Sequence, residues 1–174
     1  MINRDFTGKR RQQITVIGDA DASPGAFMFA EKLGTELAMS GYIVVTGGRG
    51  GIMEAVCKGS YNAGGITVGI LPTSSFEAAN QYCTVIIPTG LGHARNIITA
   101  LSCIAIVSIG GGAGTLSEIC FGWIYQKPIF VFDQFDGWSE KVAERQLDNK
   151  YPTKIERCST IEELIIKLKS LPYS

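Results

Sequence analysis

Short, mostly apolar runs recur along this chain at residues 14–17, 42–45, 66–71, 104–109 and 128–132, with a weaker one at 83–87. Runs this short, rich in Val and Ile and lacking strict alternation with polar residues, are what strands buried on both faces look like. Between them lie longer stretches with apolar residues at three- and four-residue spacing, which predict helices over 26–40, 52–62, 94–103 and 115–125. Gly41 follows the first of these as a stop residue, and Pro72 and Pro88 close two of the strands. Ser159 and Thr160 ahead of Glu162 and Glu163 form a capping box that opens a last helix running to about Ser170. Residues 73–82 are polar and read as a loop or short helix, and the stretch around Gly137 and Trp138 reads as irregular.

Strands alternating with helices imply βαβ crossovers. The expected fold is α/β: a single doubly wound Rossmann-like domain over residues 14–174, with a mainly parallel sheet and helices on both faces. Residues 1–13 form a polar lead-in. In such a sheet, ligands collect outside the carboxyl ends of the strands, near the point where strand order reverses.

Glycines crowd those ends. Gly18 follows the first strand; Gly47, Gly48, Arg49, Gly50 and Gly51 follow the second; and Gly110, Gly111, Gly112, Ala113, Gly114 and Thr115 follow the strand at 104–109. Without a Cβ the backbone can approach a ligand closely, and a helix that starts right after such a turn aims free N–H groups and a positive dipole end at it. All of these residues are expected to contact a ligand, with phosphate as the bound anion.

The dinucleotide fingerprint is absent, because no second glycine stands two positions after Gly18 and Thr46 and Gly47 occupy the place of a ribose-binding acid. The Walker lysine is absent from the turn at 112–115. No glycine turn carries a lysine for a pyridoxal phosphate Schiff base.

Two charged residues stand out. Glu118 falls one turn into the helix after the triple glycine, where the dipole favours an acid. Arg95 sits at the start of the preceding helix, where the dipole disfavours a cation, and so calls for an anion or for Glu118 as partner. Arg49, between glycine pairs, suits a phosphate, a carboxylate across a subunit boundary, or solvent. His93 reads as a loop hydrogen-bonding residue and Met53 as core filler, while Glu54 either caps its helix or meets a ligand hydroxyl.

Sixteen basic and sixteen acidic residues leave no electrostatic footprint for nucleic acid or an anionic membrane, and the cluster from Lys9 to Arg11 reads as a solvated tail. The most apolar window, 97–109, is too short to span a bilayer. The chain starts without the apolar core of a signal peptide. Five scattered cysteines with no C-x-x-C spacing suit reduced thiols. A cytoplasmic protein without nucleic-acid or membrane partners is the expectation.

The sequence resembles the LOG-like family, often labelled "possible lysine decarboxylases". The resemblance rests on GGRGGIMEA from Gly47 to Ala55 together with IGGGAGTLSE from Ile109 to Glu118, and it covers roughly residues 14–132. For plant-type members it implies hydrolysis of nucleoside 5′-monophosphates to base and ribose 5-phosphate, with an essential arginine in M-H-x-R-K and a glutamate closing the glycine motif. These fall on Arg95 and Glu118.

Here Ile109 replaces a proline, Gly92 the methionine and Asn96 the lysine. The wording PTGLGHARN from Pro88 to Asn96 resembles a sister branch that includes the molybdenum cofactor carrier proteins. That resemblance implies a phosphorylated pterin, molybdenum cofactor, as bound ligand, with Asn96 among the ligand-side residues. It also implies a homodimer or homotetramer and molybdoenzymes as partners. No metal bound directly by side chains is implied. A carrier, a phosphoribohydrolase and a nucleotide sensor all remain open at this point. Apolar helices at 97–103 and 119–125 offer surface for self-association or for packing on the sheet.

Overall fold

In the computed structural model, which describes residues 10–152 and 154–172, the apolar runs become strands β1 (Gln13–Gly18), β2 (Ile43–Thr46), β3 (Thr67–Leu71), β4 (Val85–Pro88), β5 (Ala105–Ile109) and β6 (Ile129–Phe132). A short β7 (Glu156–Arg157) completes a seven-stranded sheet in the order β4-β3-β2-β1-β5-β6-β7, with every pair parallel. The expected lead-in lies outside the described residues up to Lys9. The chain steps outward from β1 to β4, then returns to the other side of β1 to lay down β5. Strand order therefore reverses between β1 and β5, whose ends meet at the pair Gly18 and Ile109. An alanine Cβ at Gly18 would collide with the Ile109 carbonyl, so a residue without a side chain lets the two strands end side by side.

Because strand side chains alternate, each strand supplies both faces. Ile14, Val16, Val44, Val107, Phe130 and Phe132 pack under α1 (Pro24–Met39), α2 (Ile52–Asn62) and α6 (Ile161–Ser170). Ile17, Ile106, Ile129 and Val131 face α3 (Asn96–Leu101), α4 (Ala113–Ile124) and α5 (Trp138–Val142). The capping box on α6 is formed: Glu163 N–H donates to Thr160 Oγ1 at 3.1 Å, and Glu163 Oε2 accepts from Ser159 N–H at 2.8 Å. All five cysteines are free thiols.

Three expectations need correction. The helix expected over 94–103 divides into a 3-10 turn (Gly92–Arg95) and the short α3, which stops where the Ser102 hydroxyl donates to the Ile98 carbonyl at 2.7 Å. The stretch around Trp138 is a helix, α5, because Trp138 and Ser139 donate their N–H groups to the carbonyls of Gly111 and Gly110. Strand β7 carries two exposed charged residues and gives no apolar signal.

Helices α1 and α2 touch through glycines: a Cβ at Gly59 would run into the Glu31 carbonyl, and one at Gly34 into the Val56 carbonyl. Neighbouring backbone cannot give way as a flexible side chain would, so Gly59→Ala is expected to cost about 2 kcal/mol and lower Tm by roughly 5 °C. Gly25→Ala, where nothing lies within 4 Å of the new methyl, is the control, expected to stay within about 0.5 kcal/mol. Thermal unfolding of the two variants beside the parent checks both numbers.

Candidate functional site

The carboxyl ends of β1, β2 and β5 surround a cleft of about 400 Å³ at the strand-order reversal. At its base α4 begins directly after Gly112. Leu116 N–H already donates to the Gly112 carbonyl, whereas the N–H groups of Gly112, Ala113, Gly114 and Thr115 have no acceptor among the described residues. Thr115 ties this helix end to β1, its hydroxyl donating to the Gly18 carbonyl at 3.2 Å. The result is four amides and a positive dipole end on the cleft side of a buried sheet.

Beside them lies the pair anticipated from the sequence. Arg95 Nη1 donates to Glu118 Oε1 at 3.1 Å and to Thr99 Oγ1 at 3.0 Å, and Nη2 reaches the Gly47 carbonyl at 3.4 Å. Both side chains are only 9% exposed. The Arg95 Nε is buried without a partner among the described residues, although Arg95 lines the cleft. Burial pushes the Glu118 carboxyl up to about 7, against the pull of the Arg95 charge. Burial lowers the Arg95 guanidinium despite Glu118, and the like charge of Arg49 lowers it further. A Cβ at Gly47 would press on the ends of the Arg95 and Met53 side chains.

The structure sorts the expected ligand residues into two groups. Gly18, Gly47, Arg49, Arg95 and Asn96 line the cleft, together with Gly112, Gly114, Thr115 and Glu118. Gly48, Gly50, Gly51, Gly110, Gly111 and Ala113 lie outside its lining, although the Ala113 amide belongs to the open helix end. Gly110 and Gly111 are engaged with protein: the Gly111 N–H donates to Asp19 Oδ2 at 2.9 Å, and both carbonyls accept from α5. The amides left open are therefore those of the first turn of α4, not those of the triple glycine as a whole.

Gly48 donates its N–H to Thr46 Oγ1 at 3.0 Å, and Gly51, with φ +65°, lets the turn pass against the Asp19 and Ala20 backbone. Asn96 braces two helices, with Nδ2 donating to Ser117 Oγ at 2.8 Å. Sequence reasoning did not single out Asp19 and Asp21, which also line the cleft; two acids directly after the first strand were the available signal. His93 and Met53 likewise stand on its wall rather than in a separate loop or in the core.

Because the folded protein holds Glu118 above its ordinary 4.5, the associated stability is fully present below that pH and is lost as pH rises through about 7. The loss is roughly 3 kcal/mol between pH 4.5 and pH 8. Urea unfolding of the parent and of Glu118→Gln at pH 5 and pH 8 is expected to show this component in the parent and not in the variant. A variant that keeps the full slope would place the titration elsewhere.

The pattern of the SLOG cluster4 family matches residues 11–165. A cytokinin riboside 5′-monophosphate phosphoribohydrolase of Mycobacterium tuberculosis is 30% identical over 152 residues, covering 78% of this chain and 79% of that protein. The structure of the molybdenum cofactor binding protein from Rippkaea orientalis superposes with a TM-score of 0.83 at 34% identity, covering 92% of this chain and 97% of that one. The molybdenum cofactor carrier protein from Chlamydomonas reinhardtii gives 0.79 at 31% identity, with 92% and 97% covered. The matched stretch takes in both glycine turns, Arg95 and Glu118, and the chain belongs to the SLOG cluster4 family within the LOG-like superfamily.

Proposed function

We propose that this protein binds a phosphorylated pterin, molybdenum cofactor, in the cleft between β1 and β5 and carries it without turnover. One observation carries the reading: four amides at the start of α4, without acceptors among the described residues, stand beside Arg95, whose buried Nε likewise has none there. A buried donor left unmet is costly, and an anion on the cleft side answers it together with the amides. Arg49 adds an exposed cation on the same wall. Solved carrier and binding proteins for this cofactor share the fold at 31–34% identity, which supports the choice of ligand. Where the plant-type motif has a lysine after the arginine, this chain has Asn96, engaged in bracing α4. The reading extends to molybdoenzymes as recipients, to a cytoplasmic setting and to a homodimer or homotetramer. Exposed Ile98, Ile124 and Tyr125 supply apolar surface for self-association.

A second reading, hydrolysis of nucleoside 5′-monophosphates, is favoured by Glu118 itself. A carboxyl on the cleft wall that titrates near neutrality can exchange a proton with an attacking water.

Mass spectrometry of small molecules that copurify with the protein is expected to show a phosphorylated pterin, and Arg49→Ala is expected to weaken its binding on the order of tenfold. Incubation with AMP is expected to release no adenine; steady release that disappears in Glu118→Gln would establish the hydrolase instead. Sedimentation is expected to give a dimer or tetramer, and a monomer alone would remove that part of the reading.

A further inference from the structure

The phosphate reading leaves one part of the cleft unexplained. The loop after β1 places Asp19 and Asp21 on its wall, alternate residues with Ala20 between them. Arg95 and Glu118 pair with each other at the base, so Arg49 shares the rest of the cleft wall with two carboxylates, an unfavourable setting for an anion alone. One oxygen of Asp19 is used by the fold, while Asp21 stands exposed on the cleft wall. Capping of α1 is done by Ser23, whose Oγ accepts from Ala26 N–H at 3.3 Å, and Asp21 has no ion pair or hydrogen bond among the described residues. Asp19 spends Oδ2 on the Gly111 amide and leaves Oδ1 without a donor. At the opposite wall, Arg95 Nε, buried and unpaired, calls for an acceptor. The cleft thus has open amides on its α4 side and carboxylate oxygens accessible to a ligand on its β1 side.

We infer that Asp19 and Asp21 form an acceptor arm that selects, among phosphorylated ligands, those presenting two adjacent hydrogen-bond donors beyond the phosphate. The inference rests on the phosphate reading above. Two sources carry such donors: the vicinal diol of a ribose, and the amino and imino N–H groups on the edge of a 2-amino-4-oxopyrimidine ring, which guanine and pterin share. The arm also accounts for Asp19 occupying the Gly111 amide: a carboxylate there repels an anion from the glycine turn and leaves the first turn of α4 as its seat.

Calorimetric titration in EDTA, so that no divalent cation bridges acid and phosphate, tests the arm with four probes: inorganic phosphate, GMP, IMP and 2′,3′-dideoxyguanosine 5′-monophosphate. The parent is expected to bind GMP more tightly than inorganic phosphate. Asp21→Asn is expected to weaken GMP about tenfold while leaving inorganic phosphate unchanged or tighter, because a negative charge is gone. Asp19→Asn, which keeps an oxygen for the Gly111 amide, is expected to act in the same direction. Weaker binding of IMP identifies the ring edge as the source of the donors, and weaker binding of the dideoxy nucleotide identifies the diol. The arm is overturned if Asp21→Asn spares GMP, if it weakens GMP and phosphate alike, or if both altered nucleotides bind as GMP does. A parent that binds phosphate but gains nothing from GMP overturns the arm alone, whereas one that binds neither overturns the phosphate reading with it.

Discussion

A guanidinium and a carboxylate held 3.1 Å apart, each side chain 9% exposed, set the terms for everything around them. Removing two charges from water costs several kcal/mol per ion, and their mutual attraction repays this only when surrounding groups complete the hydrogen bonding. Here the Thr99 hydroxyl and the Gly47 carbonyl serve Arg95, and Thr99 is itself fixed because its carbonyl accepts from Thr15 on β1 at 2.8 Å. A side chain at Gly47 would press on the end of the guanidinium. A pair of apolar residues of similar volume would be at least as stable, so stability alone does not account for the arrangement. The Nε is left without a partner among the described residues, so the pair is not fully served by the fold.

The sheet makes that position available. With all strands parallel, their carboxyl ends lie on one edge, and the reversal between β1 and β5 opens a gap that no crossover covers. Two close approaches keep the gap in shape: Gly18 against Ile109, and the Gly51 turn against the backbone of Asp19 and Ala20, sealed by Ile52 N–H donating to the Asp19 carbonyl at 2.9 Å. Each is a close approach to backbone, which accounts for a glycine at positions 18 and 51 without any ligand.

This also explains what the amino-acid sequence discloses and what it hides. Strands β1, β2, β3, β5 and β6 and the long helices are legible because burial writes nearly continuous apolar runs in the strands, and one-sided burial writes a helical period; the half-exposed β4 gives the weaker run at 83–87. Strand β7 is not, because its two residues pair only at the sheet edge and stay exposed. Arg95 and Glu118 are legible since an arginine opposing a helix dipole needs a reason. The division of labour within the triple glycine is not: nothing in a run of glycines tells which amide meets a ligand and which meets Asp19 or α5. Asp19 and Asp21 were visible as residues, but their meaning depends on which loop stands at the reversal, a property of strand order rather than of any local pattern.

Charge placement finally bears on whether the cleft suits holding or cleaving. Breaking an N-glycosidic bond builds positive charge on the sugar, and a carboxylate lowers that barrier in proportion to the net field it presents. Glu118 presents a reduced one: Arg95 bonds to one of its oxygens, and burial raises its pKa to about 7, so a share of molecules near neutral pH carries it protonated. The amides of α4 and Arg49, by contrast, act equally on a bound phosphate whether or not chemistry follows. Interactions that favour ground state and transition state alike give affinity without rate. This balance is the physical ground for proposing a carrier rather than a hydrolase.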